Sequence, residues 1–215
     1  MLQDRYTPVN VTLESYNRYR TTYPDIEIIG GMLWDTVQYT SAATLRLQFF
    51  NAVRATPDLS NMDTPSMLSN NKGFLIRALR FKVLQLPRNV ARAADGAVQP
   101  GAFDNIAQLL NTGFFRFTNG SKPYSELPLW MIPSGDGPSG SLATDGDIPT
   151  TGRVTDYATN GIPSPDNVLV LSQPLFIAPL VNFFAEILWA GAITLAGGNT
   201  NLRVILDGDL MRPVQ

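Results

Sequence analysis

Two sets of aspartates are the natural place to look for chemistry. Asp136, Asp145 and Asp147 lie in one glycine-rich run, GDGPSGSLATDGDIP, where carboxylates and backbone carbonyls at short spacing suit a calcium ion. The spacing does not match an EF-hand, and Asp-Gly pairs are ordinary turn formers, so the run is read as loop and no metal is assigned to it. Asp207 and Asp209 flank Gly208. Glycoside hydrolysis needs two carboxyl groups facing each other across a cleft. Two acids on one strand lack that cleft, and a solvated bulge is the preferred reading.

The chain has no histidine and no cysteine. This removes the commonest general base, the thiolate nucleophile, disulfides and the usual transition-metal ligands together. Paired carboxylates, Ser/Lys arrangements and hard-metal sites remain as routes, and no catalytic residue is assigned. Gly30-Gly31 and Gly135 to Gly140 are read as forming no phosphate-cradling pattern, and no cofactor is expected. Trp34, Trp130 and Trp189 would stack on sugars if exposed. Two of the three lie in apolar runs, where core packing is the better account.

Arg5, Arg18 and Arg20 are interleaved with Tyr6, Tyr16, Tyr19 and Tyr23 near the start of the chain. An arm touching nucleic acid or anionic lipid is one reading. An arm lying on a neighbouring subunit, with Tyr and Arg supplying contact area, is the preferred one. Elsewhere Lys and Arg are scattered singly and the net charge is −2, so no track for a phosphate backbone exists and sequence-specific nucleic-acid binding is not expected.

The elements that would position these residues are mostly strands. Charged residues are 16% of the chain, below the usual quarter, which leaves neutral surface that neighbours can cover. The 17 glycines and 16 prolines favour strands joined by turns and loops. Ile26–Ile29 reads as a short strand stopped at Gly30-Gly31, preceded by an extended arm over residues 1–25. In Thr44–Phe50, Leu45, Leu47 and Phe49 alternate with Arg46 and Gln48. In GFLIRALRFKV, Leu79, Phe81 and Val83 alternate with Arg80 and Lys82. Both are period-two patterns of half-buried strands.

Asn51–Lys72, Arg88–Ala102 and Ser134–Pro165 read as loops. Asp104 would cap a short helix carrying Ile106, Leu109 and Leu110 on one face, with Gly113 ending it. FFRF, ELPLWMIP, Val168–Leu171, Phe183–Leu195 and Leu202–Arg212 complete the strands, the last with a bulge at Gly208. The apolar stretch from Val168 to Gly198 is broken by Gln173, Pro174, Pro179, Asn182 and Glu186 and is too short to span a bilayer. MLQDRYTPVN lacks the apolar segment of a signal peptide, and the chain reads as soluble. The expected architecture is all-β: one eight-stranded jelly-roll sandwich or barrel over residues 26–215, with one short helix and long loops.

Three segments resemble the jelly-roll major capsid proteins of tailless, often membrane-containing icosahedral bacteriophages. They are LRLQFFNAVRATPDLSNMDTPSMLSNNKGFLIRALRFKV, LLNTGFFRFTNGSKPYSELPLWMIPSGDG and the ending LRVILDGDLMRPVQ. The resemblance implies a non-enzymatic virion protein that packs side by side with copies of itself and with other capsid proteins, as a trimer or pseudo-hexameric capsomer. The chain is too short for the double-barrel members. Its N-terminal arm would join neighbours or touch an internal membrane or genome. Deleting residues 1–25 is expected to leave a folded subunit that assembles poorly. A carbohydrate-binding or host-attachment β-sandwich is the rival expectation.

Overall fold

A computed structural model describes residues 11–84, 102–134, 143–144, 154–155, 167–195 and 199–214. Its elements run α1 (Val11–Thr22), β1 (Ile26–Tyr39), β2 (Arg46–Phe49), β3 (Gly73–Val83), α2 (Ala102–Thr112), β4 (Gly113–Asn119) and β5 (Lys122–Pro128). A single 3-10 turn (Leu129–Met131) follows, then β6 (Ala143–Thr144), β7 (Val154–Thr155), β8 (Leu169–Ile177), β9 (Phe183–Trp189) and β10 (Thr200–Pro213). Strands β1, β10, β3 and β8 form one four-stranded sheet in that order, and β2, β9, β4 and β5 form the other. Every pairing is antiparallel. The all-β expectation is met at this level.

The strands pair because each presents one apolar row. Leu79, Phe81 and Val83 of β3, Leu202, Val204 and Leu206 of β10, Phe115 and Phe117 of β4, and Phe183, Ala185 and Ile187 of β9 are all buried in one core between the sheets. Successive strands cross that core. β1 lies in the first sheet, β2 in the second, β3 in the first and β4 in the second; only the β4–β5 hairpin stays within a sheet before β8, β9 and β10 alternate again. Non-local pairing of this kind places residues far apart in sequence side by side.

The bulge at Gly208 is present. The β10–β3 register shifts between Asp207 and Gly208. A Cβ on Gly208 would stand 1.9 Å from the Leu75 carbonyl oxygen, so the bulge admits only glycine.

Several boundaries differ from the sequence expectations. Within residues 1–25, Val11–Thr22 is α-helix and not extended chain, giving two α-helices among the described residues where one was expected. Tyr16, Tyr19 and Tyr23 recur at helical spacing, and their rings meet Phe176 and Met211 on the side of β8 and β10 away from the main core. The Tyr19 hydroxyl donates to the carbonyl oxygens of Asn71 (2.8 Å) and Met211 (3.2 Å).

β1 does not stop at Gly30-Gly31 but runs through them, because Asp209 and Gly208 of β10 lie opposite. β8 likewise continues past Gln173 and Pro174 to Ile177. The ELPLWMIP run is a strand only to Pro128, after which the chain tightens into the 3-10 turn. Helix α2 ends at Thr112 as Gly113 predicts. The Arg88–Ala102 loop lies, up to Gly101, outside the described residues. Most of Ser134–Pro165 does too, apart from Ser134 itself and the short β6–β7 pair.

Candidate functional site

The outward face of the β2–β9–β4–β5 sheet concentrates the features that a partner would meet. Phe183, Ala185 and Ile187 point into the core, so Phe184, Glu186 and Leu188 project from the opposite face. The same parity sends out Arg46 and Gln48 of β2 and Phe114 and Arg116 of β4. Cross-strand register then builds two parallel rows. Arg46, Leu188, Phe114 and Pro128 stand side by side in one row, and Gln48, Glu186, Arg116 and Glu126 in the next.

Charges of alternating sign cross all four strands. Arg46 Nη2 lies 2.5 Å from Glu186 Oε2. Arg116 Nη1 lies 3.2 Å from Glu186 Oε1, and Arg116 Nε donates to Glu126 Oε1 at 2.6 Å. The hydrogen bond from Arg116 to Glu126, reinforced by the charge of Glu186, holds this guanidinium above its already high value. Glu186 is the centre of the ladder, with its side chain only 4% exposed between two arginines. A carboxylate so placed is engaged by two guanidinium groups and is closed off from a substrate.

Beyond Arg46, the adjoining row of Leu188, Phe114 and Pro128 is apolar. Phe114 is 37% exposed, and in the 3-10 turn after Pro128, Trp130 and Met131 are 60% and 44% exposed. This corrects the sequence expectation for Trp130: the turn at Pro128 carries it off the core face. Trp189 is buried, with its indole N–H donated to the Leu109 carbonyl. Trp34 is half-buried and donates to the Pro57 carbonyl at 3.1 Å. Of the three tryptophans, only Trp130 offers a broad free ring.

The remaining candidates are accounted for individually. Asp207 is held by Arg80 and Asp209 by Arg77. Each acid is therefore committed to its own arginine on β3, and the two do not form a catalytic pair. Arg18 is exposed and bridged to Glu14, and Arg20 lies over the Tyr16 ring. Arg5, Tyr6, Asp136, Asp145 and Asp147 lie outside the described residues. So does the run GDGPSG, from Gly135 to Gly140, which does have GxGxxG spacing. What precedes it is the 3-10 turn and the coil to Ser134, not the strand that a dinucleotide cradle requires.

One buried charge escaped sequence reading. Asp35 is fully buried and accepts three hydrogen bonds: from Phe50 N–H (2.6 Å), Arg54 Nε (2.8 Å) and Arg54 Nη2 (2.9 Å). The bond to Asp35 raises the Arg54 pKa still further. Phe50, with φ of +67°, is pinned in the left-handed region by this contact as the chain leaves β2. An acid at an inward parity position, between Leu33 and Val37, was the available signal.

No family model matches this chain, and no curated protein and no solved structure matches it.

Proposed function

We propose that this chain is a single jelly-roll capsid subunit that builds an icosahedral shell by lateral packing of its sandwich. One observation carries the reading: the strand orders β1-β10-β3-β8 and β2-β9-β4-β5, with consecutive strands crossing between sheets. That is the order in which two interlocked Greek keys lay eight strands into a jelly roll. The three sequence segments that resemble tailless-phage capsid proteins map onto β2 to β3, α2 to β5 with the turn after it, and β10, which belong to both sheets.

The mechanism is mechanical. One packed core holds two outer faces; α1 covers part of one, and the other presents an apolar row beside a ladder of alternating charge. Apolar contact supplies area, and the ladder sets register against a neighbour. Many modest interfaces of this kind add up in a closed shell. The partners are copies of the chain and other capsid proteins in a trimeric or pseudo-hexameric capsomer, and the location is the virion.

The exposed ring of Trp130 favours a second reading, a carbohydrate-binding or host-attachment module, because flat aromatic surface stacks on sugar rings. Sedimentation velocity together with a glycan-binding screen separates the two. Trimers or large regular particles without sugar affinity support the shell subunit. A small oligomer with specific, Trp130-dependent glycan binding overturns it.

A further inference from the structure

Four strands lie at the edges of the two four-stranded sheets, and three of them are blunted. β5 carries Pro123, Pro128 and Lys122, β8 carries Pro174 and is packed by α1, and β2 is four residues long. Proline, charge, covering elements and short length are the usual protections against edge pairing. β1 is the least protected: the Pro57–Asn61 loop covers its second half, but along its first half no proline and no covering element stands among the described residues, and Glu27 is the one charge there. The strand is 14 residues long, contains no proline, and reads IEIIGG in its first half.

The hydrogen-bonding parity of that edge follows from its second half. Trp34 N–H donates to Asn61 Oδ1, the Trp34 carbonyl accepts from Ser60 Oγ and Asn61 N–H, and the Met32 carbonyl accepts from Asn61 Nδ2. Residues 32 and 34 thus aim their peptide groups away from β10 and are satisfied by the Pro57–Asn61 loop. The β1–β10 register is unbroken from Ile26 to Tyr39, so the same parity aims the N–H and C=O of Ile28 and Gly30 outward. Among the described residues nothing pairs with them, while Ile28 and Ile29 stay exposed.

A cavity of about 140 Å³ opens along this edge, lined in part by Ile29, Gly31, Met62, Met67 and Phe74. An added Cβ on Gly30 would meet nothing within 4 Å. The lining is mostly apolar but also includes Asn61, Ser69 and the ion-paired Asp63 and Lys72. An edge row of backbone groups beside such a pocket is the layout for strand addition: main-chain bonds hold the incoming strand, and the pocket takes an alternate side chain.

We infer that the Ile26–Gly31 edge of β1 pairs antiparallel with the same edge of a second copy of this chain, across a two-fold axis. The sequence fits itself in that arrangement. With Ile29 opposite its own counterpart, Ile28 faces Gly30 and Glu27 faces Gly31 of the partner copy, so no like charges oppose each other, each Ile28 meets an open glycine and the two Ile29 side chains meet each other. All outward-aimed peptide groups from Ile28 and Gly30 find partners, and each Ile29 caps the other copy's cavity. Such an interface is isologous and closes at a dimer. It stands on the edge geometry alone and does not rest on the shell reading.

The test is sedimentation equilibrium over a dilution series of the full chain, with hydrogen–deuterium exchange resolved at Ile28 and Gly30. The expected result is a concentration-dependent dimer in which these two amides slow as the dimer forms. Gly30→Pro removes one outward N–H without touching the β10 ladder and weakens dimerisation at least about tenfold. Ile29→Lys does the same by charging the pocket-facing position, and it serves if the proline variant misfolds. Val170→Ser, an exposed position on β8 at the far edge of the same sheet, leaves the dimer unchanged. A chain that is monomeric at every concentration, or a dimer whose Ile28 and Gly30 amides exchange freely, overturns the inference.

Discussion

Asp35 and Gly208 show how single residues decide this structure. Asp35 is an anion inside the sandwich, made tolerable by a bidentate arginine and a backbone N–H. Removing the cation leaves the acid buried without its partner, which costs far more than an exposed pair is worth. Arg54→Ala is therefore expected to destabilise the fold by about 3–5 kcal/mol in denaturant melts. The double variant Arg54→Ala, Asp35→Leu should recover much of that loss. Equal losses in the single and double variants would show that the pair is not the cause.

Gly208→Ala would push a methyl group into the Leu75 carbonyl, and backbone cannot yield as a side-chain tip does. The expected cost is at least about 3 kcal/mol, read as a fall in the unfolding midpoint. Gly208 was legible as a bulge in the sequence, because it interrupts an alternating strand. Trp130 was not, since its exposure depends on the turn after Pro128 and not on the apolar letters around it.

Among the elements, the strands with one apolar row and one polar row were plain in sequence, and β3 and β4 run as their alternation predicts. Where the reading stopped short, the missing information lay on another strand. Gly30-Gly31 look like a terminator in isolation, yet they are mid-strand because β10 lies alongside them. Helix α1 was readable from the spacing of Tyr16, Tyr19 and Tyr23, which composition alone disguises as an arm. Its anchor gives a pH prediction. Burial, aided by the neighbouring Tyr23, raises the Tyr19 pKa, against a smaller opposing effect of the hydrogen-bonded Gly73 backbone. The folded protein thus favours the neutral phenol. Its stabilising effect is complete below the ordinary tyrosine value of roughly 10 and is lost as pH rises through the higher folded value. Release of α1 above that pH, followed by tyrosinate absorbance and α1 amide exchange, is the expected outcome. Tyr19→Phe should abolish the alkaline step while lowering stability by about 1 kcal/mol at neutral pH. An alkaline step that survives in Tyr19→Phe would assign it elsewhere.

At the scale of the whole molecule, two sheets share one core, while α1 contributes to a separate, smaller cluster around Phe176. Deleting residues 1–25 is expected to leave the sandwich folded, with a lower melting temperature and new dye-binding surface where Tyr19 had covered Phe176 and Met211. The truncated chain should assemble less completely than the full one, as light scattering would show. Unchanged scattering would remove the N-terminal segment from any part in assembly. The outer face of β2–β9–β4–β5 makes a parallel prediction. Trp130→Ser paired with Phe114→Ser should leave the fold intact, since both rings project from it, and should reduce lateral association. Its apolar row was only half visible in sequence, because Phe114, Leu188 and Pro128 come from three strands that only the fold brings abreast.

Electron cryomicroscopy of particles formed by the purified full-length chain addresses the shell proposal most directly. The predicted image is a closed, regular shell whose repeating density is an eight-stranded sandwich, with Trp130 and the Arg46–Glu186–Arg116–Glu126 ladder buried between neighbours. Dispersed single molecules under every assembly condition, or particles in which that face points into open solvent, would contradict it.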